Sequence, residues 1–215
     1  TQMSDIEFSE WRDRFQLEID LSTRLNYPHI VQVYDFFHDE EMAVLIMEHC
    51  PNGTLLDTLK KKQNAKEPFL ISDATRIISE VASGLSRLHE LDIVQRNLKP
   101  SNILFGADGK AKISGMGLSQ VPGISLRSKL SSFTPHPGTP GYMSPEQETQ
   151  GNYLKPPSDI YALGIIFFEI LSGRNYSYQK PGTSVKSFRQ DVPPWLDQLI
   201  MSMLSKNPDQ RPWNG

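Results

Sequence analysis

Apolar positions change their spacing partway along this chain. Between residues 8 and 25, Phe15, Ile19 and Leu25 stand among acids and bases, which predicts a surface helix ending before Pro28. Residues 30–37 and 42–47 are shorter runs rich in β-branched and aromatic side chains. Joined at His38-Asp39-Glu40-Glu41, they predict two strands of a hairpin. Beyond Pro51-Asn52-Gly53 the pattern turns helical. Residues 55–62 predict a short helix and 72–91 a longer one, with Ile77, Val81, Leu85 and Leu88 near helical spacing and Ser72 or Asp73 placed as its cap. Two brief strands, 103–105 and 111–113, flank Gly106-Ala107-Asp108-Gly109, where Asp and Gly tolerate turn dihedrals. Residues 119–139 are rich in Ser, Pro and Gly and predict irregular chain. Helices are expected again at 144–148, 158–171 and 194–204.

At 215 residues the chain is long enough for one well-buried core and too short to demand two domains. Its 22 Lys plus Arg against 25 Asp plus Glu leave a net charge of -3, a poor match for nucleic acid or an acidic membrane. Neither is expected as a partner. The apolar run at 160–171 is interrupted by Gly164 and Glu169 and is too short to cross a bilayer. The one cysteine, Cys50, cannot form an internal disulfide, which fits a reducing compartment, and the cytoplasm is the expected location.

The chemistry-bearing segment is Ile93-Val94-Gln95-Arg96-Asn97-Leu98-Lys99-Pro100-Ser101-Asn102-Ile103-Leu104, followed about ten residues later by Ser114-Gly115-Met116-Gly117. Around it, in order, stand Glu18 with Leu25-Asn26-Tyr27-Pro28-His29-Ile30-Val31, then Met47-Glu48-His49-Cys50 and Gly138-Thr139-Pro140-Gly141-Tyr142-Met143-Ser144-Pro145-Glu146-Gln147. Asp159-Ile160-Tyr161-Ala162-Leu163-Gly164 and Asn207-Pro208-Asp209-Gln210-Arg211-Pro212 complete the series. Five such strings in register resemble the protein kinase superfamily across nearly all the chain, with wording closest to bacterial-type Ser/Thr kinases. The resemblance implies an α+β, protein-kinase-like fold: a mostly helical C-lobe over 51–215 lacking its last helix, and a partial or truncated N-lobe over 1–50 holding the C helix, strands four and five and the hinge. The family's Gly-rich loop and strand-three lysine have no counterpart in the 17 residues before Glu18. Either a longer natural chain has been cut or left partly uncovered, or the small lobe is reduced. Thr1 in place of a methionine favours the first explanation.

Phosphoryl transfer needs one carboxylate to orient and deprotonate the attacking hydroxyl and another to hold magnesium against the phosphates. By the resemblance, Asn97 stands at the first position, and a neutral amide is no carboxylate base. Gly115 stands at the second and offers no side chain to a hard cation. Gln95 replaces the family's histidine, and Met116 the phenylalanine that packs against it. Lys99 and Asn102 match the phosphate-contacting lysine and the second metal ligand.

Fold-holding positions match better. Asp159 resembles the residue that accepts backbone hydrogen bonds from the catalytic loop, Glu146 and Arg211 the pair that ties the activation segment down, and Glu18 the C-helix glutamate. Arg96 could bind a phosphate on Ser131, Ser132 or Thr134, the candidate phosphoacceptors. Met47, Glu48, Cys50 and Leu104 match a vestigial adenine site. No cofactor or metal is expected, with ATP as the one exception to test.

These residues together suggest a catalytically inactive kinase-like domain that acts as a protein-binding scaffold or allosteric regulator. Its partner would be a protein, either an active kinase or another module of the same chain. Two alternatives stay open: a weak or unconventional Ser/Thr protein kinase, and a nucleotide-sensing pseudokinase.

Overall fold

The computed structural model describes residues 25–38, 43–115, 138–149 and 154–215. The hairpin is formed by β1 (Val33–His38) and β2 (Ala43–Met47), antiparallel, with Val33 opposite Met47 and a slip in register between Val33 and Asp35. The first strand starts three residues later than its apolar pattern predicts. Ile30 is drawn away from the hairpin into a bridge with Ile113; Val31 N–H donates to Ile113 O at 2.9 Å, and Ile113 N–H to His29 O at 2.9 Å. Ile30 and Val31 are buried by this contact, so residues 29–31 anchor the hairpin to the helical part of the molecule. The predicted helix at 8–25 lies outside the described residues, apart from its last position, Leu25.

α1 (Leu55–Ala65) opens on a capping box: Thr54 Oγ1 accepts from Asp57 N–H at 3.1 Å, and the Asp57 carboxylate accepts Thr54 N–H at 3.0 Å. It runs past the predicted end at residue 62 because Lys66 adopts a left-handed φ of 56° and closes the last turn. α2 (Ile71–Glu90) differs from expectation at its start. Its N-cap is Leu70, which makes no side-chain cap bond, so Ser72 and Asp73 fall inside the first turn; Asp73 there faces the positive end of the helix dipole. Its apolar stripe, including Ile77, Val81, Leu85 and Leu88, is buried.

β3 (Ile103–Phe105) and β4 (Ala111–Ile113) form the second, antiparallel pair at the predicted positions, with Ile103 opposite Ile113. A short helix, α3 (Pro145–Glu148), opens at Ser144, whose N–H donates to Gln147 Oε1 at 3.0 Å. α4 (Pro156–Ser172) starts two residues before the predicted boundary, since prolines in the first turn cost no intrahelical hydrogen bond. It is apolar nearly all round and forms the centre of the core. α5 (Pro194–Met203) packs against it.

Two glycines set the close approaches in this core. A Cβ at Gly84, on α2, would lie 2.6 Å from His29 O and 2.9 Å from Ile113 Cδ1. A Cβ at Gly164, on α4, would lie 2.9 Å from Met203 Cβ. The first contact presses α2 onto the strand that leads into the Ser114-Gly115 segment; the second seats α5 on α4. With both helices fixed, His89 on α2 and Asp159 on α4 are aimed at the loop 93–102.

Candidate active site

The loop 93–102 is held from below by one buried carboxylate. Asp159 Oδ2 accepts Gln95 N–H at 2.8 Å and Oδ1 accepts Arg96 N–H at 2.8 Å, while His89 Nε2 lies 2.9 Å from Oδ2. Because a carboxylate offers only acceptors, these bonds fix two successive peptide units at once, and Arg96 takes the left-handed φ of 69° that this turn demands. Gln147 Nε2 donates to Arg96 O at 2.7 Å, tying α3 to the same peptide.

A ring of neutral groups links the loop to Ser114 and Gly115. Gln95 is fully buried; its Oε1 accepts Asn97 N–H at 2.8 Å, and its Nε2 is shared between Ser114 O at 3.4 Å and Gly115 O at 3.3 Å. Asn102 Nδ2 donates to Asn97 O at 2.9 Å, and Asn102 O accepts Ser114 N–H at 2.8 Å. Gly115 has a φ of 77°, and a Cβ built there would lie 2.9 Å from Asn102 Nδ2.

On the outer side, Asn97 Oδ1 accepts the Thr139 hydroxyl at 2.9 Å, and Thr139 Oγ1 accepts from Lys99 Nζ at 2.8 Å. Lys99, Thr139 and Asn97 therefore form one chain in which the amide oxygen is already engaged. Next to it, the Glu146 carboxylate meets Arg211 through Nη1 at 2.6 Å and Nη2 at 2.9 Å and accepts Ser158 Oγ–H at 2.8 Å. Burial works to raise the Glu146 carboxyl, but the Arg211 and Ser158 hydrogen bonds outweigh it and hold it below the usual carboxylate value. Arg211 also donates to Pro157 O and Ser205 O, and its guanidinium stacks 4.8 Å from the centre of the Tyr161 ring. Tyr142 O–H donates to Glu169 at 2.6 Å; burial pushes both groups up.

Just past β2, Glu48 N–H donates to Gln32 O at 2.8 Å, and the Glu48 carboxylate pairs with Lys112 at 2.7 Å. Leu104 stands opposite Lys112 in the β3–β4 register, and Thr54 bridges to Leu104, so 50–54 runs alongside β3. Met47, Glu48, Cys50 and Leu104 thus gather where β2 leaves the hairpin. Burial, then the Glu48 charge, pushes the Cys50 thiol up, against the pull of Lys112. Glu18, Met116, Ser131, Ser132 and Thr134 lie outside the described residues.

The protein kinase domain family matches residues 2–213. This chain belongs to the protein kinase family. It is 30% identical over 217 residues to Aurora kinase B of Mus musculus, covering 97% of this chain and 59% of that protein. It is 32% identical to serine/threonine-protein kinase PknL of Mycobacterium tuberculosis, over 92% of this chain and 51% of PknL. Serine/threonine-protein kinase PrkC of Bacillus subtilis is 29% identical over 94% of this chain and 32% of PrkC. The chain therefore spans between about a third and three fifths of these three relatives, which include an animal as well as bacterial proteins.

Kinases hold magnesium with a carboxylate after the second strand pair and an asparagine of the catalytic loop. The residues of this kinase-family chain do not fit that ion. Gly115 supplies no side-chain oxygen, a Cβ there would press on Asn102, and the Asn102 amide nitrogen is spent on Asn97 O, so that among the described residues the two motif positions offer one neutral side-chain oxygen to a hard dication. Sequence reasoning gave no role to Thr139, Gln147, His89, Ser158 or Lys112. Gln147 carried a signal, since Ser144-Pro145-Glu146-Gln147 has capping-box spacing. Thr139 stands in a motif string, but its contact with Asn97, 42 residues away, carried no local signal.

Proposed function

We propose that this chain is a catalytically inactive kinase domain that serves as a protein-binding scaffold or allosteric regulator, with an active kinase or another module of the same chain as its partner. The reading is carried by one observation. Where the family needs two carboxylates, the assembled site presents an asparagine whose oxygen is already bonded to Thr139 and a glycine with no side chain, held at a φ of 77° beside the Asn102 side chain. An amide cannot take the proton of an attacking hydroxyl, and the backbone at 115 cannot gather the charge of a metal-bound triphosphate.

The fold-holding contacts made by Asp159, Glu146 and Arg211 support a domain kept for its surface. No helix among the described residues is long and apolar enough to cross a membrane, and a cytoplasmic location is part of the proposal. Nucleotide sensing is a second reading. It is favoured by the edge at residues 48–50, where among the described residues neither Glu48 C=O nor Cys50 N–H has a hydrogen-bond partner.

The test is phosphate transfer from ATP by the full-length chain with magnesium and with manganese, against a Lys99→Ala control. Turnover equal to the control is expected. Robust turnover lost in Lys99→Ala would make the chain a weak or unconventional Ser/Thr kinase. Saturable ATP or ADP binding that changes affinity for a partner would favour the sensing role.

A further inference from the structure

Five residues close a hydrogen-bonded ring across the site: Gln95 to Asn97, Asn97 to Asn102, Asn102 to Ser114, and Ser114 with Gly115 back to Gln95. Every group in it is an amide or a peptide. We propose that Gln95 is a positioning residue that clasps the 93–102 loop to the Ser114-Gly115 segment, so that the site keeps its shape with neither metal nor nucleotide bound. This rests on the inactive reading above, in which the site is retained as a shape.

The chemistry of the ring restricts what can stand at 95. One side-chain terminus must accept from Asn97 N–H and donate to the carbonyls of Ser114 and Gly115. A primary amide does both. A neutral imidazole has one donor and one acceptor, an ionised carboxylate accepts only, and a hydrocarbon does neither. The donor half is shared between carbonyls at 3.3 and 3.4 Å, and the acceptor half is the short bond at 2.8 Å. Leaving either half unmade in a fully buried position exposes no water-facing alternative. Among the described residues, the charged and titratable groups around Gln95 are Asp159 on α4, which takes its backbone N–H, His89 on α2, which meets the same carboxylate, and Arg96 beside it in the loop. Lys99 faces Asn97 through Thr139.

The isosteric Gln95→Glu variant converts this demand into a pH signature. An ionised Glu at 95 would point oxygen at two carbonyl oxygens and stand close to Asp159. Its carboxyl is therefore held protonated in the fold, with a folded pKa above the unfolded value of about 4.3. Stability is full below that unfolded value and is lost as pH rises toward the folded one. Relative to the unsubstituted chain, the folded-to-unfolded ratio drops by up to about tenfold per pH unit across the window.

The experiment measures urea midpoints and amide exchange of 93–102 and 113–115 from pH 4.5 to 8 in buffer containing EDTA, for the full chain and for Gln95→Glu, Gln95→His and Gln95→Leu. Expected are a Glu variant that matches the parent at the acid end and weakens steadily above it, and a Leu variant that loses protection of both segments at every pH. The His variant should keep both where its ring is neutral, above about pH 6.5. A Glu variant that tracks the parent, or differs from it by the same amount at all pH values, overturns the proposal. So does a parent whose 113–115 amides gain protection only when magnesium and ATP are added. If Gln95→Glu does not fold at any pH, equal protection in the His and Leu variants overturns it, and protection in His alone upholds it. Phosphate transfer would defeat the inactive reading while leaving the pH signature of the clasp intact.

Discussion

Replacing Arg211 by Ala is the most demanding test of how this fold is held. The Arg211 side chain is fully buried, with the carboxylate of Glu146 on two of its nitrogens and the carbonyls of Pro157, Ser205 and Lys206 on its remaining donors. Truncation strands a part-buried carboxylate left with Ser158 and its own backbone N–H, and takes a donor from three carbonyls. Breaking a buried pair from one side costs about 3–5 kcal/mol, a large share of the roughly 5–15 kcal/mol that holds a domain of this kind together. The assay is urea unfolding followed by circular dichroism, with Glu146→Gln and the double variant completing a cycle. The single variants should each be costly, and the double variant should cost clearly less than their sum.

The Glu146 carboxyl is held below its usual value in the fold. The stability it contributes is therefore present above the unfolded value of about 4.3 and is lost as pH falls through the folded one. Glu146→Gln should flatten that acid limb. An Arg211→Ala loss under about 1 kcal/mol would place the pair among ordinary surface ion pairs and refute the reasoning.

Three further outcomes follow from the geometry. Gly84→Ala removes a helix-interior glycine, worth up to about 1 kcal/mol in propensity. Its Cβ meets His29 O at 2.6 Å, however, so a net loss of about 1–3 kcal/mol is expected in thermal or urea unfolding, and a stabilised variant would contradict the packing. Gly115→Asp places a side chain at a φ of 77° against Asn102 and should lower stability without conferring magnesium-dependent protection in differential scanning fluorimetry; a magnesium-dependent rise in melting temperature would show a working metal site. Asn97→Asp alone should leave phosphate transfer at the level of the Lys99→Ala control, because no metal carboxylate stands at 115; measurable ATP turnover by that variant would contradict this.

Legibility in the sequence followed the range of the forces involved. β3, β4 and the helices could be read from local period because each buries a stripe of its own residues: Ile77, Val81, Leu85 and Leu88 in α2, Ile103 and Ile113 in the strand pair. Boundaries slipped where a distant partner intervened. Ile30 looks like the start of a strand by its neighbours, yet it is taken by Ile113, 83 positions along. Position and identity at 95, 97 and 115 were plain in the motif strings. What each side chain touches was not, because the Thr139 hydroxyl on Asn97 and the two carbonyls on Gln95 come from segments that only the packing of α2 and α4 brings near.

The same distinction explains how such a site can lose its carboxylates without losing its form. Asp159 grips the loop through the N–H groups of Gln95 and Arg96, and Gln147 through Arg96 O. These contacts are to backbone and are indifferent to which side chains the loop carries. Substitution at 97 therefore changes what the loop can do to a substrate while leaving the Asp159 and Gln147 contacts that hold the loop unaltered. The asymmetry is sharpest at Asp159. Asp159→Asn would swap an acceptor for a donor beside two peptide N–H groups, in a position 1% exposed. It should destabilise the chain by about 1–3 kcal/mol or more, measured by urea unfolding, whereas Asn97→Ala, which frees a Thr139 hydroxyl nearer the surface, should cost less. An Asn97→Ala variant less stable than Asp159→Asn would mean that the loop is supported from its chemical side, and the reasoning from backbone anchoring would fail.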